Sequence, residues 1–203
     1  MSGATRHRNL SACYADAFHA LKRDPIPWMF VSTVWLLATL LTCGMASLLF
    51  PAFIREVGAA LEEQRGPRIR AAFDTSNSGQ DVVNGGIWLA AMSIGSTLGG
   101  VGGVIASAVL QLLPNLAADD RYAPMDNASL AVKHAMKHPA EHLTFLAASW
   151  AGGFIAVATF FLLFPVVIPL TSIAHWRWYE AVRDELDELA AQAGIQRRPV
   201  LEG

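Results

Sequence analysis

The chain has 203 residues, of which 53% are hydrophobic and only 16% are charged, and its mean hydropathy is +0.35. A soluble domain normally carries about 25% charged residues and spreads them around every helix, so this composition argues against a soluble domain. The formal net charge of −2 and the lack of a Lys/Arg cluster in the sequence argue against a nucleic-acid partner.

Three long stretches contain no Lys, Arg, Asp or Glu, namely residues 25–54, 82–118 and 142–176. They are apolar on all sides, whereas the helices of a soluble core carry only an apolar stripe. As one α-helix the middle run would extend about 55 Å, almost twice the ~30 Å hydrocarbon core of a bilayer. The sequence therefore predicts an all-α, polytopic transmembrane bundle that forms one membrane domain over residues 1–203.

The first predicted element is an amphipathic helix over Ser11–Arg23. Pro25 and Pro27 terminate it, because proline lacks an N–H and disfavours helix in the residue before it. Trp28 then occupies the position of an interfacial anchor. We expect the first apolar run to turn near Cys43-Gly44 and to return toward the face from which it started.

Arg55 and Glu56 lie on this returning arm of the first run. Two interpretations of the pair are open. The side chains snorkel to the membrane interface, or they form a buried polar pair inside the membrane.

Residues 65–81 are predicted to be a polar loop that leads into the middle run. Small residues recur there every four positions, a spacing that favours close helix packing, at Gly95, Gly99, Gly103 and Ser107. Because two Gly pairs inside one helix are costly, we place a turn at Gly99–Gly103. Gln111 and Asn115 follow one helical turn apart and are expected to form interhelical hydrogen bonds.

A second amphipathic helix is predicted over Ala128–Lys137, with Asp126-Asn127 as its cap and a proline at its end. The third run follows. His175–Tyr179 combine a histidine with aromatic residues, a composition typical of a membrane interface. The last helix is expected to extend into solvent over Glu180–Ala193, with Gly194 as its C-cap.

The distribution of the fifteen Lys and Arg residues discriminates between two topologies. If each run crossed once, seven would lie on one side and eight on the other, without the bias of the positive-inside rule. If each run is a helical hairpin, all fifteen lie on one side. We therefore predict six short transmembrane helices arranged as three hairpins, with both termini in the cytoplasm at a bacterial inner membrane.

Two sequence features recur at an offset of 114 residues. The matched pairs are Lys22–Pro25 with Met136–Pro139, and Leu48–Pro51 with Leu162–Pro165. Residues 11–64 and 126–193 are therefore interpreted as parallel repeats, and the glycine-rich hairpin of residues 82–118 as an insert between them. Transporters contain such repeats and bind their substrates at the repeat interface, although a duplicated structural unit has the same pattern.

Three segments carry a family resemblance: Ala128–Pro139, Leu162–Pro169 and the ending Trp178-Tyr179-Glu180-Ala181. With them the chain resembles uncharacterised bacterial six-helix integral membrane proteins, similar in organisation to the membrane domain attached to some glycerophosphodiester phosphodiesterases. The resemblance implies a six-helix membrane fold. It implies no catalytic residues, because the phosphodiesterase chemistry of that family resides in a separate soluble domain.

His134, His138 and His142 recur every four residues. Histidines at i and i+4 are a familiar metal-binding geometry, but Pro139 interrupts the helix, and a solvated basic face is the alternative that we favour. His175 is interpreted as an interfacial partner rather than a ligand. The sequence shows no catalytic grouping, and its glycine-rich run lacks the strand and the Lys of a nucleotide site, so we expect neither enzymatic activity nor a cofactor.

Two functions from different classes stay open. The one we favour from sequence is an accessory or structural subunit of the membrane, in contact with lipid and with other membrane subunits or a second copy through small-residue faces. A lack of charged residues at depth favours it over ion-coupled transport. The alternative is a small solute transporter or lipid-handling protein that uses the cleft between the repeated hairpins.

Overall fold

The computed structural model describes residues 9–42, 44–97, 100–159 and 162–198, and all regular structure in these ranges is helical, as predicted. The helices in chain order are α1 (Leu10–Arg23), α2 (Pro25–Leu41), a 3₁₀ turn (Met45–Leu49), α3 (Phe50–Glu62), α4 (Ile69–Ala72), α5 (Ser78–Thr97), α6 (Gly100–Val109), α7 (Leu113–Asp119), α8 (Pro124–Lys137), α9 (Pro139–Ala158) and α10 (Phe164–Gln192).

Two sharp elbows interrupt the helices where prolines follow amphipathic segments. Asp24 lies between α1 and α2, whose axes differ by 103°, and has φ −134° and ψ 64°. His138 lies between α8 and α9 with nearly the same backbone, φ −128° and ψ 56°. In both cases a proline begins the next helix, where a missing N–H leaves no intrahelical bond unmade.

The helix starts repeat along the chain. α1, α2 and α3 begin at residues 10, 25 and 50, and α8, α9 and α10 begin at residues 124, 139 and 164. Each pair is offset by the 114 residues at which the sequence features recur. Both halves therefore have the same order of an amphipathic helix, an elbow and two further helices.

The middle run reverses direction between α5 and α6. The two helices pack against each other although only two residues separate them along the chain. The apex, including Gly99, lies outside the described residues, as does Cys43 of the first predicted turn. Gly95 belongs to α5 and Gly103 and Ser107 to α6, so the small-residue series does not form one continuous helix face.

Among the described residues, Val101–Asp119 is the one segment long and apolar enough to cross a membrane by itself. α1 and α2 form a second candidate if the two helices around the elbow are counted as one broken span.

α10 is the central helix of the bundle and contacts α1, α2, α3, α8 and α9. It continues through Pro169 as a single helix to Gln192, so the predicted extension of the last helix over Glu180–Ala193 agrees to within one residue. Its rings at Trp176, Trp178 and Tyr179 are buried, as is Trp28 on α2. The predicted interfacial belt and anchor are therefore wrong, because neighbouring helices cover these side chains.

Ion pairs between elements join the end of α3, the start of α5, the end of α7 and the second half of α10, which together we call the charged end. The pairs are Arg55–Asp81, Arg65–Glu56, Arg121–Asp187, Arg183–Asp119 and Arg198–Asp120. The connections at the other ends of the helices, at residues 42–44, 98–99 and 159–163, contain no charged residue.

Several predicted bounds differ from those observed. α1 agrees with its prediction to within one residue, and Asn9 caps it through its side chain. α8 begins earlier than predicted, at Pro124, so the Asp126-Asn127 cap is wrong. The segment predicted as a loop over residues 65–81 contains α4 and the first turn of α5. Gly194 has a φ of +68°, in keeping with its predicted role at the helix end.

Candidate functional site

A chamber of about 540 Å³ lies between the two repeated halves and the middle run. Its apolar walls come from α2, α3, α5, α9 and α10 through Trp35, Phe50, Trp88, Leu146, Trp150 and Phe164. This volume is in the range of small-molecule sites, which are concave and mostly apolar with a few polar groups. The chamber lies where the alternative function predicts a cleft, and residues of the middle run also line it.

The polar lining of the chamber is neutral in type. It comprises Ser47, Ser107, Gln111, Asn115, Ser149, Thr171, Ser172 and His175, and no Asp, Glu, Lys or Arg lines the chamber among the described residues. A charged ligand would find no opposite charge there, which is costly in an apolar surrounding. The lining therefore favours a ligand whose bound portion is uncharged and largely apolar.

Gln111 and His175 form the polar end of this chamber. With its amide oxygen toward His175 Nε2 (2.8 Å) and the N–H of Leu146 (3.1 Å), Gln111 directs its nitrogen to the carbonyl of His142 at 2.9 Å. With the amide of Gln111 in the opposite orientation, its nitrogen would face the backbone N–H of Leu146, and two donors would meet. Ser149 Oγ lies 3.3 Å from His175 Nε2. Gln111 thus forms the interhelical hydrogen bonds expected of it, and His175 lies in the chamber rather than at an interface.

Two buried donors in the lining lack a hydrogen-bond partner within the described part of the chain. They are the amide nitrogen of Asn115 and the indole Nε1 of Trp35. Asn115 therefore does not form through this nitrogen the interhelical hydrogen bond predicted for it. An unsatisfied buried donor costs about 1–3 kcal/mol, but both nitrogen atoms have almost no accessible surface and do not face the open space of the chamber.

Aromatic contacts shape the wall formed by α2 and α3. The ring of Trp35 lies 5.2 Å from Phe50 and 5.5 Å from Phe53, and the two phenylalanine rings stack at 5.9 Å. These separations are in the range of favourable aromatic pairs. The three rings therefore form one contiguous aromatic surface on this wall.

The predicted histidine series lies at the elbow between α8 and α9, next to the charged end. His134 and His142 are buried, so the solvated basic face is wrong. His134 Nδ1 lies 2.9 Å from His142 Nε2, and His142 Nδ1 lies 2.7 Å from the carbonyl of Ala108. The ring of Trp178 packs edge-on against His142 at 4.9 Å. The burial arises because α10 and α6 cover this face of the elbow.

His138 forms a hydrogen bond to α10. Its Nε2 lies 2.6 Å from Glu185 Oε1 of α10, and Lys137 Nζ lies 2.6 Å from the same oxygen. His134, His138 and Glu185 offer ligand atoms that all lie within 4.8 Å of one another. His142 is not a member of this group; its two ring nitrogens contact His134 Nδ1 and the carbonyl of Ala108.

Arg55 and Glu56 do not pair with each other. Arg55 binds Asp81 through two hydrogen bonds of 2.9 and 3.3 Å and donates to the carbonyl of Ala118 at 3.2 Å. Glu56 is buried, binds Arg65 and accepts the backbone N–H of Arg68 at 2.6 Å. Both polar groups therefore serve the charged end, each with a partner of its own.

Sequence reasoning missed three partners: Asp81, Arg65 and Glu185. Asp81 is the last acidic residue before the middle run. This position next to an apolar helix could have indicated a buried contact with another helix rather than a loop. Glu185 precedes Leu186 on α10. Nothing in the sequence indicates its contact with His138, which lies 47 residues earlier in the chain.

Comparisons of the chain with described protein families, with curated proteins and with solved structures find no match.

Proposed function

We propose that this chain is a multi-pass protein of the bacterial inner membrane that binds a lipid-like molecule in the chamber between its repeated halves. The observation that carries the proposal is the chamber itself: about 540 Å³, apolar walls from both halves, and a neutral polar end at Gln111 and His175. Sites at the interface of two repeats are the usual arrangement in membrane transporters. The proposal thus takes the second of the two functions open from sequence.

The membrane setting is supported by the outward faces of the helical arms. Large apolar side chains are exposed on α2, α6 and α9, among them Leu41 at 83%, Val101 at 73% and Phe154 at 71%. Soluble monomers rarely leave contiguous apolar patches of this kind uncovered. We propose six short arms in the bilayer, formed by α2, the 3₁₀ turn with α3, α5, α6 with α7, α9 and the first half of α10, with the charged end and both termini in the cytoplasm.

The lining restricts the chemistry of the ligand. The neutral polar side chains at one end of the chamber, Gln111, Ser149 and His175, suit a ligand that carries carbonyl, ester or hydroxyl oxygens. The aromatic and aliphatic walls bind hydrocarbon. An acyl chain with its ester group at the polar end combines both properties, and the resemblance to six-helix membrane proteins adds no substrate of its own.

Photo-crosslinking tests this proposal. The full chain is placed in vesicles that contain a phospholipid with a diazirine in its acyl chain, irradiated and mapped by peptide mass spectrometry. We expect adducts at Trp35 and Trp88 inside the chamber as well as at Phe154 on the outer surface.

Two glycine variants provide a matched comparison. A Cβ added at Gly153 or at Gly86 meets no atom within 4 Å, but only Gly153 lines the chamber. Gly153→Leu should remove the chamber adducts and leave those at Phe154, whereas Gly86→Leu should change neither. Equal chamber labelling in the two variants, or labelling of the outer surface alone in the unmodified protein, would contradict the proposal.

A second candidate is the accessory subunit, supported by a separate surface. The amphipathic helices α1 and α8 lie outside the proposed arms and expose Phe18, Met125 and Met136. Exposed methionines are frequent at adaptable protein contacts. Native mass measurement after extraction in mild detergent discriminates between the two: a stable complex with other membrane subunits supports this candidate, and a monomer that retains bound lipid supports the chamber.

A further inference from the structure

The elbow between α8 and α9 brings three metal-binding side chains together. His134 and His138 lie one helical turn apart at the end of α8, and Glu185 faces them from α10. One ligand atom from each lies within 4.8 Å of the other two. Two ligands of a tetrahedral Zn²⁺ ion, with metal bonds near 2.1 Å, lie roughly 3.4 Å apart, so small side-chain rotations complete the geometry.

The hydrogen bonds of His142 orient the first of these ligands. His142 Nδ1 contacts the carbonyl of Ala108, which can only accept, so the ring proton of a neutral His142 is on Nδ1. His142 Nε2 then accepts the Nδ1 proton of His134. This assigns the lone pair of His134 to Nε2. Metal-binding histidines commonly donate their other ring N–H in this way.

The second and third ligands, His138 and Glu185, already contact each other, and Glu185 also binds the cation of Lys137. Glu185 Oε1 accepts from His138 Nε2 and pairs with Lys137 Nζ, each at 2.6 Å. A metal ion between His138 and Glu185 takes the place of this proton and of the ammonium group. The proton of His138 moves to Nδ1, which Glu141 faces at 4.0 Å, and Lys137, whose side chain is half exposed, turns to solvent.

From this geometry we propose that His134, His138 and Glu185 bind a divalent transition-metal ion, with Zn²⁺ as the ion that two imidazoles and a carboxylate favour. The site is separate from the chamber and does not depend on what the chamber binds. His138 and Glu185 are partly exposed, at 23% and 14% of their side chains, so the ion enters from solvent. The ligand set replaces the His134, His138 and His142 series considered from sequence.

Metal titration of the full chain in detergent tests the site. After removal of metal with a chelator, the protein is titrated with Zn²⁺ by calorimetry and with Co²⁺, whose visible absorption reports a tetrahedral site. We expect one ion per chain. Glu185→Gln and His138→Gln should each weaken Zn²⁺ binding roughly 100-fold and abolish the Co²⁺ bands, and His142→Gln should weaken it about 10-fold through His134.

Two exposed residues supply the controls. Glu188→Gln removes an acid one turn further along α10, and His19→Gln removes an exposed histidine of α1; both should bind Zn²⁺ as the unmodified protein does. Circular dichroism checks that each variant is helical, and the partly exposed His138 keeps the test valid if Glu185→Gln fails to fold. Absence of Zn²⁺ binding, or equal affinity in His138→Gln and Glu188→Gln, would overturn the proposal.

Discussion

At the scale of single residues, the ion pair of Arg55 and Asp81 places a buried carboxylate at the charged end. The side chain of Asp81 is fully buried, and that of Arg55 is 29% exposed. The guanidinium satisfies both carboxylate oxygens and also reaches the carbonyl of Ala118 on α7. One side chain therefore links α3, α5 and α7.

Arg55→Met should destabilise the protein by about 3 kcal/mol, because it leaves the carboxylate of Asp81 buried without a counter-ion. The change should appear as a lower midpoint of thermal unfolding, followed by circular dichroism in one detergent. Arg68→Met is the control, since the Arg68 side chain is 68% exposed and its guanidinium lies 4.0 Å from the carboxylate of Glu63. A double variant Arg55→Met/Asp81→Leu should recover part of the loss. Equal midpoints for the two single variants would contradict this account of the pair.

At the scale of elements, α5 approaches the 3₁₀ turn so closely that only glycine fits between them. A Cβ built on Gly85 would lie 2.6 Å from the carbonyl oxygen and 2.8 Å from the Cα of Leu48. Backbone atoms cannot move aside as the end of a side chain can. Close helix packing on small residues was predicted for this run at Gly95, Gly99, Gly103 and Ser107, and Gly85 is a further small residue of the run at such a contact.

Gly85→Ala should therefore destabilise the protein by about 1–3 kcal/mol through overpacking. Gly86→Ala, at the next position of the same helix, meets open space and should stabilise the protein by up to about 1 kcal/mol, because alanine favours helix over glycine. Chemical unfolding of both variants in the same detergent measures the difference. Destabilisation by Gly86→Ala as large as that by Gly85→Ala would show that helix propensity, not contact with Leu48, governs this region.

At the scale of the whole molecule, the polar and apolar ends of the bundle are separated. Charged side chains pair across elements at the charged end, and the connections at the other end carry none. The proposed topology follows from this separation, since all fifteen Lys and Arg residues fall on one side of three hairpins. This topology predicts that a membrane-impermeant reagent reaches each end separately.

Cysteine labelling tests the topology in a Cys43→Ser background. Cys13 is buried, and this burial, with Asp16 nearby, raises its pKa to about 12. It therefore holds its proton at pH 8 and does not react with maleimide, which needs the thiolate. Met45→Cys, at the exposed start of the 3₁₀ turn, should be labelled in intact spheroplasts, and Ser76→Cys only after permeabilisation. The reverse pattern would exclude a cytoplasmic charged end.

Much of the local structure was predictable from sequence because it depends on neighbours along the chain. Prolines after amphipathic segments mark both elbows, and the 114-residue offset anticipated the helix starts. The burial of Trp28 and Trp178 was not predictable. A tryptophan close to charged residues is equally suited to an interface or a core, and only the packing of neighbouring helices decides which.

By itself the sequence determined the helical class, the two elbows and the apolar arms, because backbone propensity and hydrophobic spacing act locally. Tertiary structure alone decided the partners. It joined Arg55 to Asp81, placed Glu185 rather than His142 with His134 and His138, and formed the chamber with Gln111 and His175 at its polar end. These contacts span 26 to 64 residues, and no spacing along one helix specifies which face of another it will meet.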